Sequence, residues 1–116
     1  MAEIVVYHNP NCGTSRGVLE MLAEAGIDVD IVQYLKTPLS KAQLETIVGA
    51  IDVPPADLVR DDNRFKELGL NKGDYTSKTA VVDVLLAHPE LMQRPVVIKG
   101  KTVILARPKD KINALI

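Results

Sequence analysis

Cys12 is the only cysteine of the chain and stands in the run His8-Asn9-Pro10-Asn11-Cys12-Gly13-Thr14-Ser15-Arg16. The thiolate, not the thiol, is the nucleophile, so such a residue does chemistry only where its surroundings favour the anion. Ile4 to Tyr7 is a short apolar run with β-branched and aromatic character and reads as a buried strand. Asn9-Pro10-Asn11 breaks it, and an amphipathic helical pattern starts at about Thr14. Cys12 is thus expected between a strand end and a helix start, where unpaired N–H groups and the positive end of the helix dipole favour negative charge. Gly13 lets the backbone come close, and the hydroxyls of Thr14 and Ser15 can cap the helix or donate to the sulfur. His8, four residues before the thiol, can tune its pKa or serve as a hydrogen-bonded structural histidine. The competing reading is a lone cysteine acting as a small buried hydrophobe. Nothing in residues 9–16 would bury it.

Three arginines bear on the same chemistry. Arg94 immediately precedes Pro95 and Arg107 immediately precedes Pro108, while Arg60 follows an apolar pair and precedes Asp61-Asp62. Pro95 to Ile98 and Thr102 to Leu105 are strand-like runs around Lys99-Gly100-Lys101, a hairpin signal. Arg94 enters that hairpin and Arg107 leaves it, and in an antiparallel pair those ends lie side by side. Planar, permanently charged, forked guanidinium groups suit a tetrahedral oxyanion better than lysine does. Arg16, inside the first helix, can assist the thiolate but is assigned to the surface. His88, between Ala87 and Pro89, is assigned a structural role, and Asp61, Asp62 and Asp74 have no metal-ligating spacing.

The elements that must position these residues follow in order. Val18, Leu19, Met21, Leu22 and Ala25 recur at helical spacing, with Gly26 as the stop. Ile27, Val29 and Ile31 alternate with Asp28 and Asp30 in a second strand running to about Tyr34. A crossover helix between them makes the two strands parallel. Ser40 to Gln43 forms a capping box inside a Leu39–Leu44 staple, opening a helix with Leu44, Ile47, Val48 and Ile51 on one face. From Ala56 to His88 there is no strand pattern. Leu58-Val59, Phe65 with Leu68, and Val81-Val82 with Leu85-Leu86 fit short helices, the last capped by Ser77. After the hairpin, Pro108 suits the first turn of a final short helix. The expected architecture is α/β: a mixed four-stranded sheet flanked by helices, with an all-helical insert at about 54–90 before the third strand.

With 116 residues the chain fits a single domain covering 1–116. Its 47% apolar and 25% charged residues are ordinary for a globular protein, and 14 basic against 15 acidic side chains give a net charge of −1. That balance argues against nucleic acid as a partner. No apolar run is long enough for a membrane span, and Met1-Ala2-Glu3 lacks signal-peptide character, so a cytoplasmic setting is expected. One cysteine can neither close an internal disulfide nor build a cysteine-rich zinc site. Any redox cycle must bring its second thiol from outside.

The Cys12 run, Glu67-Leu68-Gly69, His88-Pro89, Arg94-Pro95-Val96-Val97 and Arg107-Pro108 together resemble the glutaredoxin-coupled arsenate reductases of arsenical resistance. The resemblance spans nearly the whole chain. It implies the thioredoxin-like fold, in which the proline opening the third strand is cis and faces the cysteine, making Pro95 the candidate. Carried over by position, it makes Cys12 the nucleophile, Arg60, Arg94 and Arg107 the oxyanion-binding arginines, and His8 the histidine that tunes the thiol. Gly13, Thr14 and Ser15 are loop support. The implied reaction is reduction of arsenate, or a similar oxyanion, to arsenite, with glutathione as co-substrate and glutaredoxin as protein partner. No metal and no permanently bound cofactor is implied, and a monomer is expected. Asp61-Asp62 makes the neighbourhood of Arg60 more acidic than an anion site calls for.

Other readings share parts of this pattern. Cys12-Gly13-Thr14-Ser15 is similar to the Cys-Gly-x-Ser of monothiol glutaredoxins, but the helical insert and Arg-Pro pairs do not match them. The phosphatase-like arsenate reductases need Cys-x5-Arg, and Arg16 comes too soon after Cys12. A redox-responsive transcription regulator of the same fold, binding RNA polymerase, would carry Cys-x-x-Cys where this chain has Ser15. A general glutathione-dependent thiol reductase shares the loop and stays open as an alternative.

Overall fold

A computed structural model describes residues 3–116. Met1 and Ala2, the start of the segment read as lacking signal-peptide character, lie outside the described residues. The chain divides into two compact units: one holds the described residues up to Thr37 together with Arg94–Ile116, the other is Pro38–Gln93.

The first unit contains the sheet. Strands β1 (Ile4–His8), β2 (Val29–Gln33), β3 (Val96–Lys99) and β4 (Thr102–Leu105) are arranged β2-β1-β3-β4. β1 runs parallel to β2 with Val6 opposite Ile31, and antiparallel to β3 with Val6 opposite Val97. β3 and β4 form the hairpin, Val97 opposite Ile104, turning at Gly100 with φ of +60°. That left-handed value costs a glycine little. Helix α1 (Gly13–Glu24) makes the crossover. It ends where Gly26, at φ +71°, donates to the Ala23 carbonyl while Ile27 donates to that of Leu22.

Alternation along the strands puts Ile4 and Val6 on one face. They share a buried core with Val18 and Leu22 of α1, Val97, Ile104, Ala106, and Ile112 and Leu115 of the closing 3-10 helix Lys109–Leu115. The second strand starts later than its apolar alternation suggests, and Ile31 is 51% exposed. β2 is an edge strand, so it is flanked on one side only. The period is that of a strand, but sheet order decides how much of it is covered.

The second unit is built from helices α2 (Lys41–Ala50), α3 (Asn63–Glu67) and α4 (Lys78–Ala87), with 3-10 turns at Pro55–Leu58, Lys72–Asp74 and Pro89–Leu91. Its boundaries differ from the insert expected at 54–90, because α2 packs against α4 and belongs with it. The Ser40–Gln43 capping box forms reciprocally, and Ser77 accepts from the Ala80 N–H at the start of α4. Leu44, Ile47 and Val48 are buried, whereas Ile51 already lies past the end of α2. An antiparallel bridge pairs Val59, just after the first 3-10 turn, with Met92 near the end of the unit. No helix among the described residues is long and apolar enough to cross a membrane.

Candidate active site

Cys12 is the N-cap residue of α1, with extended backbone at φ −104° and ψ 121°. The turn that delivers it is built by Asn9, expected from the sequence only as a strand breaker. The Asn9 carbonyl accepts the Cys12 N–H at 3.0 Å, and its Oδ1 accepts the Asn11 N–H at 2.9 Å. This is the local side-chain turn that Asx residues favour, a signal carried by the residue type itself. The Asn9 N–H in turn donates to Ser15 Oγ at 3.2 Å.

The Ser15 hydroxyl, expected to cap the helix or donate to the sulfur, faces the other way. It lies 2.6 Å from His8 Nδ1 in a fully buried position. Burial, and then the charge of Arg16, hold the His8 pKa below its ordinary value. Both effects favour the neutral imidazole, whose Nδ1 can accept the Ser15 hydroxyl. Strand end and helix start are clamped through this bridge. The Ser15 backbone N–H favours the Cys12 thiolate instead, without a capping hydrogen bond to the sulfur. Thr14 is half-buried in the first turn, and Gly13 is exposed at the helix start. Arg16 is exposed, donating from Nη1 to the Pro10 carbonyl at 2.9 Å.

Against expectation, Cys12 is well covered and only 9% exposed. Residues distant in sequence enclose it, not its own loop. Arg107 Nη1 lies 3.8 Å from Cys12 Sγ and also donates to the Arg94 carbonyl at 2.9 Å. The Ala106 N–H donates to the Pro95 carbonyl at 3.0 Å, so the hairpin ladder continues to the two Arg-Pro pairs and holds them abreast. Both peptides, Arg94–Pro95 and Arg107–Pro108, are cis. Pro95 is buried. Pro108 sits at the N-cap of the closing 3-10 helix, one position before the first turn it was expected to occupy. Burial by itself pushes the Cys12 thiol up; the Ser15 N–H, then Arg94, then Arg107 outweigh it and leave the thiol below its ordinary value. Arg94 Nε is buried and has no hydrogen-bond partner among the described residues.

Arg60 lies in the other unit, and its guanidinium is engaged there. Its Nε donates to Asp62 Oδ2 at 3.0 Å, and its Nη1 to Gln93 Oε1 at 3.4 Å. Asp62 spends its second oxygen on the Phe65 N–H, capping α3. Lys72 supports this segment by donating to the carbonyls of Ala56 at 2.7 Å and Val59 at 2.6 Å. His88 Nδ1 stands 3.9 Å from Glu90 Oε2, which Arg64 also engages. No group of three or more His, Cys, Asp or Glu side chains among the described residues could hold a metal ion.

The model of the ArsC family matches residues 7–115. This chain belongs to the ArsC family. An arsenate reductase of Rhizobium meliloti is 40% identical over 94% of this chain and 78% of its own length. One of Escherichia coli is 35% identical over 97% and 79% respectively. Among solved structures, an arsenate reductase from Vibrio cholerae superimposes with a TM-score of 0.81 at 30% identity, covering 97% of both chains. The ArsC chain described here has the thioredoxin-like fold: the parallel β-α-β, the antiparallel hairpin and the helical segment between them.

Proposed function

We propose that this protein is an arsenate reductase in which Cys12 attacks arsenic. The observation that carries the reading is the surplus of donors at the thiol: Arg107 at 3.8 Å from Sγ, and Arg94 with a buried N–H that no described residue satisfies. A buried cationic donor left without a partner is costly unless a ligand completes it. An oxyanion placed over Cys12 supplies the missing acceptor. Arsenate reductases at 35–40% identity over most of the chain name that oxyanion.

The Cys12 thiolate displaces one arsenate oxygen, which leaves as water after protonation, and a sulfur–arsenic bond forms. Arg94 and Arg107 offset the charge on the arsenic oxygens as the leaving oxygen departs. Arg60 joins this role by family position. Glutathione then displaces a second arsenic oxygen as water to form its own sulfur–arsenic bond, and glutaredoxin attacks the glutathione sulfur, breaking that bond. The two thiols become a mixed disulfide, their electron pair reduces As(V) to As(III), and hydrolysis frees arsenite and Cys12. The external thiols are required because the chain has one cysteine. The protein acts in this reading as a cytoplasmic monomer.

The test is arsenate reduction by the purified protein with glutathione and glutaredoxin, together and singly. Turnover is expected with both and none without glutathione. No arsenite with both present would overturn the reading in favour of a general thiol reductase.

A further inference from the structure

Two cations that the oxyanion does not use lie along the first turns of α1. Arg16 is fixed to the Pro10 carbonyl, and its Nη2 stands 3.8 Å from where a Cβ on Gly13 would be. Lys109 lies across Gly17: a Cβ there would be 2.9 Å from Lys109 Cδ and 3.4 Å from its Nζ. Only a residue without a side chain allows this approach. Gly13 and Gly17 are one turn apart on one face of the helix. The segment from Arg107, at the thiol, to Lys109, on Gly17, therefore runs alongside the same two turns. With 1.5 Å of rise per residue, Gly17 is only about 7 Å along the axis from Cys12. Both side chains are exposed, and neither is in an ion pair among the described residues.

We propose that Arg16 and Lys109 bind a carboxylate of glutathione and so deliver its thiol to the Cys12 adduct. This rests on the reading of glutathione as the reductant given above. Glutathione has a carboxylate at each end and its thiol in the middle, and a three-residue peptide spans about 10 Å. Its sulfur at Cys12 thus leaves one carboxylate within reach of the strip over Gly13 and Gly17. Arg94 and Arg107 are occupied by the oxyanion, which leaves these two cations for the second acid. Glu20, the next acidic side chain on that face, lies a turn further from the thiol.

The subsite can be tested without arsenate, with a fixed low concentration of sulfate present so that Arg94 and Arg107 stay occupied. When the Cys12 thiolate attacks oxidised glutathione, a sulfur–sulfur bond forms to Cys12 and one glutathione thiolate leaves. Neutral hydroxyethyl disulfide reacts in the same way but has no carboxylate. Rates of both, followed by mass spectrometry, give a preference ratio. Lys109→Glu is expected to lower that ratio five- to tenfold, Arg16→Gln to lower it by a smaller factor, and Lys109→Arg to keep it. Raising salt should bring the wild-type ratio toward that of Lys109→Glu, because exposed charges are screened. An unchanged ratio in Lys109→Glu, with an unchanged melting temperature showing that it is folded, overturns the proposal. The two readings fail separately: absent arsenate turnover removes the arsenate assignment, while an unchanged ratio in an enzyme that still reduces arsenate removes the subsite alone.

Discussion

The Cys12 loop and the Arg60 segment both place arginine beside a polar turn, yet they differ in what the guanidinium groups already hold. Around Cys12 the charged neighbours are cationic, Arg107 spends a donor on a backbone carbonyl, and Arg94 keeps a buried N–H unspent. Around Arg60 a carboxylate at 3.0 Å and a side-chain amide have taken up donors beforehand. An arginine contributes to anion binding according to the donors it has left, not according to its charge. The first region keeps a donor to spare, the one that the proposed oxyanion would take up. The second is closer to a finished structural pair.

The sharpest way to break that comparison is to remove the nucleophile. Cys12→Ser should abolish arsenate turnover while leaving the arginines able to hold the anion, so sulfate or arsenate should still raise its melting temperature. Loss of that thermal shift would mean that the thiol itself, and not the arginines, holds the anion. Next in size are the arginines. Arg94→Ala and Arg107→Ala should each cost about 2–4 kcal/mol of transition-state stabilisation, as loss of other preorganised donors does. Each should also move the midpoint of Cys12 alkylation to higher pH, since both cations favour the thiolate. In the unmodified protein that midpoint should lie below the ordinary thiol value. A midpoint at or above it would contradict the balance in which donors outweigh burial.

Ser15→Ala probes the clamp and not the charge. It strands the His8 ring and the Asn9 N–H in a buried place, a loss of about 1–3 kcal/mol measurable by urea unfolding. The Ser15 backbone N–H stays, so the alkylation midpoint should shift far less than in Arg107→Ala. The larger shift in Ser15→Ala would instead put the hydroxyl on the sulfur.

Much of this fold was legible because it is decided locally. Gly26 ends α1, Ser40 and Gln43 cap α2, and Gly100 turns the hairpin by rules that operate within a few residues. What escaped depends on partners far along the chain. The cover on Cys12 comes from the hairpin ends, 95 residues away in the case of Arg107. The grouping of α2 with α4 is decided by packing between helices, which periodicity does not report. The exposure of Ile31 follows from strand order. In the site, residue types were readable while directions were not. The type of Ser15 marks it as loop support, but only the structure turns its hydroxyl to His8, and the residue type of Asn9 does not by itself show that it ties the whole turn together. For Arg60, the acidic neighbours could be read from the chain, and Gln93, 33 residues on, could not.

The smallest effect sharpens the comparison furthest. Arg60→Ala should weaken kcat/KM less than either of the other arginine changes, because Asp62 already shares that guanidinium. Asp62 also caps α3, so truncating it would confuse two roles. Asp62→Asn separates them, since asparagine caps a helix start as well as aspartate does but brings no charge to Arg60. A partly exposed pair of this kind contributes about 0.2–1 kcal/mol. The acid limb of stability should report it. Burial pushes the Asp62 carboxyl up, but Arg60 and the Phe65 N–H outweigh that and hold it below the usual carboxylate range. The contribution is therefore present above the unfolded-state value of about 3.9 and is lost as pH falls through the lower folded value. Asp62→Asn should flatten that limb. In arsenate kinetics, freeing the guanidinium should lower KM about two- to threefold, and in an Arg60→Ala background the same change should do nothing. A KM that rises in Asp62→Asn would mean the carboxylate orients Arg60 toward the anion and does not compete for it, and the contrast between the two regions would then be one of degree.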